Sequence, residues 1–152
     1  MTQSSPVPAA NNRDQNILAR TLYGEARGEG RAGLIAVASV ILNRQRIVRT
    51  HPARIRQFGG PAIAAICLAP AQFSCWLASD PNSATLRAPS ISGQSFILCT
   101  QIAADALAGR LSDPTGGADH YCVARIAPQT YWARGRTPTA IIGAHAFYRL
   151  ES

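Results

Sequence analysis

The sequence predicts a single, mainly α-helical domain of the α+β class, with long loops and at most short strands. At 152 residues the chain fits one domain, and a domain of this length buries enough surface to fold without disulfide bonds or bound metals. Two long stretches carry apolar residues at helical spacing, and proline and glycine interrupt the C-terminal half. We assign residues 13–152 to this domain and the polar, proline-containing residues 1–12 to a disordered lead.

A first helix is predicted from about Asp14 to Arg27. Apolar residues follow helical spacing from Ile17 to Leu22, and Asn12 with Gln15 has the spacing of a capping box. Three glycines then follow between residues 28 and 33, so we expect the helix to end there.

Three further helices are predicted along the chain. A second apolar stripe, Leu34–Leu42, indicates a helix that ends near Arg49 and packs closely on the first, because small residues line one side of it. Apolar runs predict a third helix over Pro61–Leu68 and a fourth over Ser92–Leu107, with Gly109 as its C-terminal stop. The rest of the chain is predicted to be rich in loops.

Short extended segments are expected near the C-terminus. We interpret Gln129–Trp132 and Ala146–Leu150 as short extended segments. Proline and glycine precede the Asp119–Tyr121 segment and place it in or beside a loop.

Charge and hydropathy limit the partners and the location. With 15 basic and 8 acidic residues the chain attracts polyanions such as nucleic acid, anionic lipid or an acidic cell wall. The arginines are scattered, and no helix-turn-helix, zinc-finger or aromatic RNP pattern accompanies them, so nucleic acid is not expected as the main ligand.

We expect a monomer without metal or cofactor. No stretch is long and apolar enough to span a membrane, and the start lacks the features of a signal peptide, which predicts synthesis in the cytoplasm.

Few residues could support carboxylate chemistry. Only three glutamates occur, and Glu25 and Glu29 lie together in LARTLYGEARGEGRAGLIAVASVILNR, from Leu18 to Arg44. At the end of the first helix, the helix dipole and apolar neighbours would favour the protonated form of Glu25. A general acid for glycosidic cleavage requires this property. The alternative is a structural surface contact with the next helix, which suits Glu29 better than Glu25.

Four sequence blocks are distinctive, namely the Leu18–Arg44 segment, AQFSCW at 71–76, DHYCV at 119–123 and IGAHAFYR at 142–149. Together they resemble the SleB/CwlJ family of cell wall hydrolases, and they occur in the family's order. The GEARGE core with its following NR is the specific part. The resemblance implies a lysozyme-like domain, related to lytic transglycosylases, that cleaves the glycan strands of peptidoglycan with Glu25 as the catalytic acid.

The same resemblance suggests a biological setting. We expect a protein without the signal sequence and the separate peptidoglycan-binding domain of the spore-germination members, because neither is recognisable in these 152 residues. We therefore expect a phage endolysin or a related bacterial lysis enzyme, which would reach the wall after a holin or an equivalent agent breaches the membrane.

The mechanism depends on a second carboxylate. Hydrolysis with two carboxylates requires a partner about 5–10 Å from the first, and Glu29 and Asp119 are the plausible candidates. Without a partner, Glu25 would act first as acid and then as base, and the C6 hydroxyl of muramic acid would form a 1,6-anhydro product. We favour this lytic transglycosylase route.

Substrate-binding side chains are expected in the later blocks. Each block offers an aromatic ring beside a hydrogen-bonding group, a combination that suits sugars. The candidates are Gln72, Phe73, Ser74, His120, Tyr121, His145 and Tyr148. The alternative is that the rings belong to the core and the histidines are structural.

The cysteines support a different class of enzyme. Ser74, Cys75 and Trp76 resemble the end of the papain-type signature, and His145 could serve as the base of a wall peptidase or amidase. The preceding Cys-Gly is absent and the distance to the histidine is short, so we rank this hypothesis below the glycosidase. A basic polyanion-binding protein is the other alternative. The four cysteines lack the CxxC spacing of a zinc site, and their disulfide state stays open: Cys67, Cys75, Cys99 and Cys122.

Overall fold

A helical body is followed by a small antiparallel sheet in the computed structural model, which describes residues 9–87 and 93–151, without the side chains of residues 9–11. This architecture confirms the predicted fold class. The helices are α1 (Ala9–Ala26), α2 (Gly30–Thr50), α3 (Ile55–Phe58), α4 (Ile63–Cys67), α5 (Ser83–Arg87) and α6 (Gln94–Leu107). The strands are β1 (His120–Val123), β2 (Ala140–Ile142) and β3 (His145–Tyr148). Short 3₁₀ helices occupy Arg27–Glu29, Pro52–Arg54, Ser74–Trp76 and Ala124–Gln129.

The N-terminal helix begins earlier than predicted. Residues 1–8 of the predicted lead lie outside the described residues, and α1 already begins at Ala9. Asn12 therefore lies inside the helix, so the predicted capping box is wrong. Gln15 instead donates a hydrogen bond to the Thr100 carbonyl at 3.4 Å, which ties α1 to α6.

The core lies where α1, α2 and α6 pack together. Leu18 and Leu22 on α1 meet Val37 and Ile41 on α2, and all four are fully buried. This confirms the apolar stripes predicted for the first two helices. The fourth predicted helix is also confirmed as α6, although its predicted start at Ser92 lies outside the described residues.

The sheet places neighbouring residues of each strand on opposite faces. Its strand order is β1-β3-β2, and Tyr121 pairs with Phe147 while Val123 pairs with His145. One face packs on α2 through Phe147, whereas the other carries Tyr148 into a second small core. The strands thus separate residues that are adjacent in sequence.

The prediction of an extended segment at Gln129–Trp132 is wrong. Gln129 ends a 3₁₀ helix, and a turn follows in which the Thr130 N–H donates to the Ala127 carbonyl at 3.1 Å. Pro128 inside this segment has no N–H for a strand ladder, which favours the turn. The second predicted segment is confirmed as β3. Among the described residues, no helix is long and apolar enough to cross a membrane.

Candidate active site

Glu25 lies at the C-terminal end of α1, next to the last helical residue, Ala26. Its Oε2 accepts a hydrogen bond from the Tyr121 hydroxyl at 3.0 Å. Its Oε1 accepts a longer one, 3.4 Å, from the backbone N–H of Cys75. The carboxyl group is partly buried and is oriented by two donors from distant parts of the chain.

Gly24 allows the Cys75 segment to approach Glu25. A Cβ at Gly24 would lie 2.7 Å from both the Cβ of Cys75 and the Cδ1 of Leu86. The indole N–H of Trp76 donates to the Thr21 hydroxyl at 3.0 Å, one turn earlier on α1. The residue before Glu25 must therefore be small for the Cys75 N–H to reach the carboxylate.

Tyr121 on β1 is a donor that stays protonated. Burial, followed by the negative charge of Glu25, raises the pKa of Tyr121 well above its usual value. Its ring packs 5.4 Å from the ring of His145 and 5.7 Å from that of Phe147. The sheet therefore holds the hydroxyl in place on Glu25.

Arg44 on α2 links the blocks of the site. Its guanidinium is buried between the rings of Phe58, at 4.9 Å, and Phe73, at 5.2 Å. It donates to the Asp119 carbonyl at 2.8 Å and to the Gln72 Oε1 at 3.2 Å. Burial lowers the pKa of Arg44, although an arginine keeps its charge in a protein, and this charge acts on Glu25 and Tyr121.

Arg44 was not predicted as a site residue. A signal was present, because Arg44 follows Val37 and Ile41 on the apolar stripe of α2, where a charged residue requires a specific partner. Its neighbour Asn43 donates to the Ala118 carbonyl at 2.8 Å. The NR pair thus holds the segment that leads into β1.

Glu29 faces the turn between β2 and β3. Its Oε2 accepts a hydrogen bond from the Ala144 N–H at 3.1 Å, and its Oε1 lies 3.6 Å from the Nδ1 of His145. A Cβ at Gly143 would overlap the Glu29 carboxylate, so the close contact requires glycine. Although Glu29 is the N-cap residue of α2, its side chain makes no capping hydrogen bond.

Asp119 anchors the C-terminal segment. Its side chain is fully buried, and its oxygens accept hydrogen bonds from His120 Nδ1 at 2.7 Å and from the N–H groups of Leu150, at 3.0 Å, and Glu151, at 2.8 Å. Burial raises the pKa of Asp119, but these hydrogen bonds outweigh it and lower the pKa overall. No described hydrogen bond joins this carboxylate to the site of Glu25.

The structure divides the predicted substrate-binding residues into three groups. Tyr121, His145 and the exposed Ser74 lie on the side of Glu25, whereas Gln72 and the buried Phe73 contact Arg44. His120 and Tyr148 lie on the other face of the sheet, where they pack on Trp132 with ring centroids at 5.0 and 5.5 Å.

The cysteines are free thiols in this structure. Cys75 is buried, and burial together with the adjacent Glu25 raises its pKa, which disfavours the thiolate that a peptidase requires. No hydrogen bond between Cys75 and His145 is found in the described part of the chain. Residues 9–87 and 93–151 also contain no group of three or more His, Cys, Asp or Glu that could hold a metal ion.

Comparison with known proteins identifies the family. A family model described as Cell Wall Hydrolase matches residues 28–148, which is most of the chain. The chain therefore belongs to the cell wall hydrolase family, as the sequence blocks had indicated. The matched range begins three residues after Glu25.

Similar proteins are known among spore enzymes. The spore cortex-lytic enzyme of Halalkalibacterium halodurans is 32% identical over 146 residues, covering 95% of this chain and 38% of that protein. The chain thus spans about two fifths of that relative's length. The spore cortex-lytic enzyme of Bacillus subtilis is 56% identical over 34 residues, or 22% of this chain and 11% of that protein.

Two solved structures share the fold. The catalytic domain of the germination-specific lytic transglycosylase SleB from Bacillus anthracis superposes with a TM-score of 0.65 at 26% identity, covering 97% of this chain and 100% of that chain. The SleB catalytic domain of Bacillus cereus superposes with a TM-score of 0.66 at 27% identity, covering 98% of this chain and 100% of that chain. These structures confirm the lytic-transglycosylase-like fold.

Proposed function

We propose that this protein cleaves the β-1,4 glycosidic bond between N-acetylmuramic acid and N-acetylglucosamine in peptidoglycan, with Glu25 as general acid and base. The supporting observation is the partly buried Glu25 carboxyl at the end of α1, held by Tyr121 and the Cys75 N–H. Membership of the cell wall hydrolase family and the similarity to SleB catalytic domains support the choice of substrate.

Glu25 would transfer the proton through the oxygen that is less firmly held. Tyr121 binds Oε2 at 3.0 Å, which leaves Oε1, with its 3.4 Å contact, as the oxygen that carries the proton. As the C1–O4 bond breaks, this proton passes to the departing O4 oxygen. The resulting carboxylate is stabilised by the Tyr121 hydroxyl, the Cys75 N–H and the charge of Arg44.

The second step uses the same carboxylate as a base. Glu25 takes the proton of the C6 hydroxyl, O6 bonds to C1, and the 1,6-anhydro product leaves without consuming water. This route needs one carboxylate, which suits a site where Glu29 binds the Ala144 N–H and Asp119 binds the C-terminal backbone. If Glu29 took part as a second carboxylate, hydrolysis would produce reducing ends instead.

Mass spectrometry of the fragments released from purified sacculi tests both parts of this proposal. We expect disaccharide peptides with anhydromuramic ends, each lighter by one water than the hydrolysed fragment. Reducing muramic ends would show that water is the acceptor. Fragments with intact glycan and cut peptides would remove the glycosidase proposal altogether.

For the biological setting, we propose a lysis enzyme of the endolysin type, which meets the wall after a holin or similar agent opens the membrane. The spore cortex-lytic relatives suggest germination as the competing setting. Expression in a Gram-negative host with and without a holin separates them. Lysis that depends on the holin supports the endolysin setting, whereas lysis without any membrane breach contradicts it.

A further inference from the structure

The face of the sheet opposite Glu25 forms the bottom of a groove. Ala133, Ala146 and Tyr148 are its buried lining, and the exposed Ile141 is part of its side. The cavity measures about 370 Å³, and an adjoining one of about 250 Å³ shares Arg136 and Tyr148 with it. Since Tyr121 contacts Glu25 from the other face of the sheet, the groove is separate from the candidate active site.

This groove is positively charged. Arg134 and Arg136 line the larger cavity and Arg149 the smaller one, and no acidic residue lines either. Within the described residues, none of these three arginines makes a hydrogen bond or ion pair through its side chain. The sequence adds to this charge, because residues 120–150 contain four arginines and neither Asp nor Glu. An unneutralised field of this kind attracts carboxylates.

The apolar lining restricts the kind of anion. Alanine, proline and isoleucine side chains suit small aliphatic groups and offer no hydrogen bonds to bases or sugars. Single-stranded nucleic acids bind through exposed aromatic rings, whereas the ring that lines this groove, Tyr148, is only 3% exposed. Methyl groups next to free carboxylates match the groove better.

We propose that the groove binds the acidic peptide stems of peptidoglycan, with Arg134 and Arg136 pairing with stem carboxylates. Guanidinium groups bind carboxylates through two parallel hydrogen bonds, and the apolar lining accepts the methyl groups of stem alanines. The identity of the ligand rests on the proposed function. A stem held behind the sheet raises the local concentration of wall near Glu25 without occupying its site.

Titration of the full chain with a synthetic stem tetrapeptide, followed by NMR, tests the groove directly. We expect shifts around Tyr148 and Ile141, and about tenfold weaker binding for the double variant R134Q/R136Q, since each exposed pair contributes modestly. The matched control is R49Q/R56Q, which removes two exposed arginines elsewhere and should stay within about twofold of the wild type. Amidating the peptide's carboxylates should abolish binding.

Several outcomes would overturn the groove proposal. One is equal weakening by R134Q/R136Q and R49Q/R56Q, which would indicate net charge alone. Another is that the amidated peptide binds as tightly as the peptide with free carboxylates. A third is displacement of the peptide by a short oligonucleotide that binds more tightly, which would indicate a nucleic-acid surface.

The groove and the catalytic proposal can fail independently. E25Q should bind the tetrapeptide like the wild type, and R134Q/R136Q should cleave a soluble glycan without stems at the normal rate. If E25Q still cleaves glycan while the groove variant loses peptide affinity, the catalytic role fails and the groove stands. If E25Q is inactive and both arginine pairs behave alike, the groove fails alone.

Discussion

Glu25 has its donors, Tyr121 and Cys75, at sequence distances of 96 and 50 residues. The sequence could suggest Glu25, because few carboxylates are available and one of them follows a strong helical pattern. It could not show that Arg44 joins Gln72 to Asp119, because such a contact depends on how α2 packs against segments far along the chain. A charged residue on an apolar stripe indicates that it has a polar partner, but the sequence does not show which residue that partner is.

Replacing Glu25 with glutamine should reduce the lysis rate at least a hundredfold, because the amide keeps the shape but cannot deliver a proton to the glycosidic oxygen. The rate is measured by turbidity clearing of permeabilised Gram-negative cells, and circular dichroism checks the fold. Glu29→Gln should lower the lysis rate less than Glu25→Gln does, and Cys75→Ser should still lyse the cells. Near wild-type clearing by Glu25→Gln, with Cys75→Ser folded but inactive, would favour the thiol peptidase instead.

Asp119→Asn should destabilise the fold by about 2–3 kcal/mol at neutral pH, because the amide group cannot satisfy the buried donors that the carboxylate binds. The pKa of Asp119 is lowered in the folded state. The ionised side chain therefore contributes fully to the free energy of unfolding above pH 3.8, the ordinary pKa of an aspartate, and this contribution is lost as the pH falls through the lower pKa of the folded state. Urea unfolding at pH 7 and below pH 4 measures this. The difference in the free energy of unfolding between the variant and the wild type should become smaller in acid. A difference that stays constant would show that the charge of Asp119 does not stabilise the fold.

Helices and strands differ in how well the sequence predicted them. α1, α2 and α6 are long enough for apolar periodicity to emerge, so their predictions held except at their ends. β1 was missed because it has four residues that are all partly buried, so no alternation marks it. The 3₁₀ helix Ser74–Trp76 is even shorter, and its position on α1 depends on packing. The helix that carries Glu25 was therefore predictable from its periodicity, whereas Ser74 and Tyr121 were predicted as site residues without the 3₁₀ helix and the strand that position them.

Gly24→Ala tests how closely the Ser74–Trp76 segment must approach α1. The added Cβ would lie 2.7 Å from the Cβ of Cys75, so the segment must move and the Cys75 N–H must leave Glu25. We expect a loss of about 1–3 kcal/mol from overpacking, together with a clear drop in lysis. Gly28→Ala is the matched control, because nothing lies within 4 Å of its Cβ. Thermal unfolding and turbidity clearing measure both; equal behaviour of the two variants would show that the close approach is unimportant.

Across the whole molecule, the sheet separates the candidate active site from the proposed stem-binding groove. One face brings Tyr121 to Glu25 and His145 to Glu29, whereas the other carries the groove with Arg134 and Arg136. All 15 basic residues are arginines, and the chain carries a net charge of +7. The reaction depends on local contacts, while attraction to an acidic wall depends on the total charge.

Salt should therefore affect the two substrates differently. The Debye length falls to about 10 Å near 0.1 M salt, so long-range attraction between the arginines and the wall weakens as salt rises. We expect lysis of sacculi and sedimentation of the protein with them to decline together between low salt and about 0.3 M. Cleavage of a short soluble glycan, held by contacts around Glu25, should change much less. If salt slowed both substrates equally, the basic surface would not direct the protein to the wall, and binding of another polyanion would become the better explanation of its arginines.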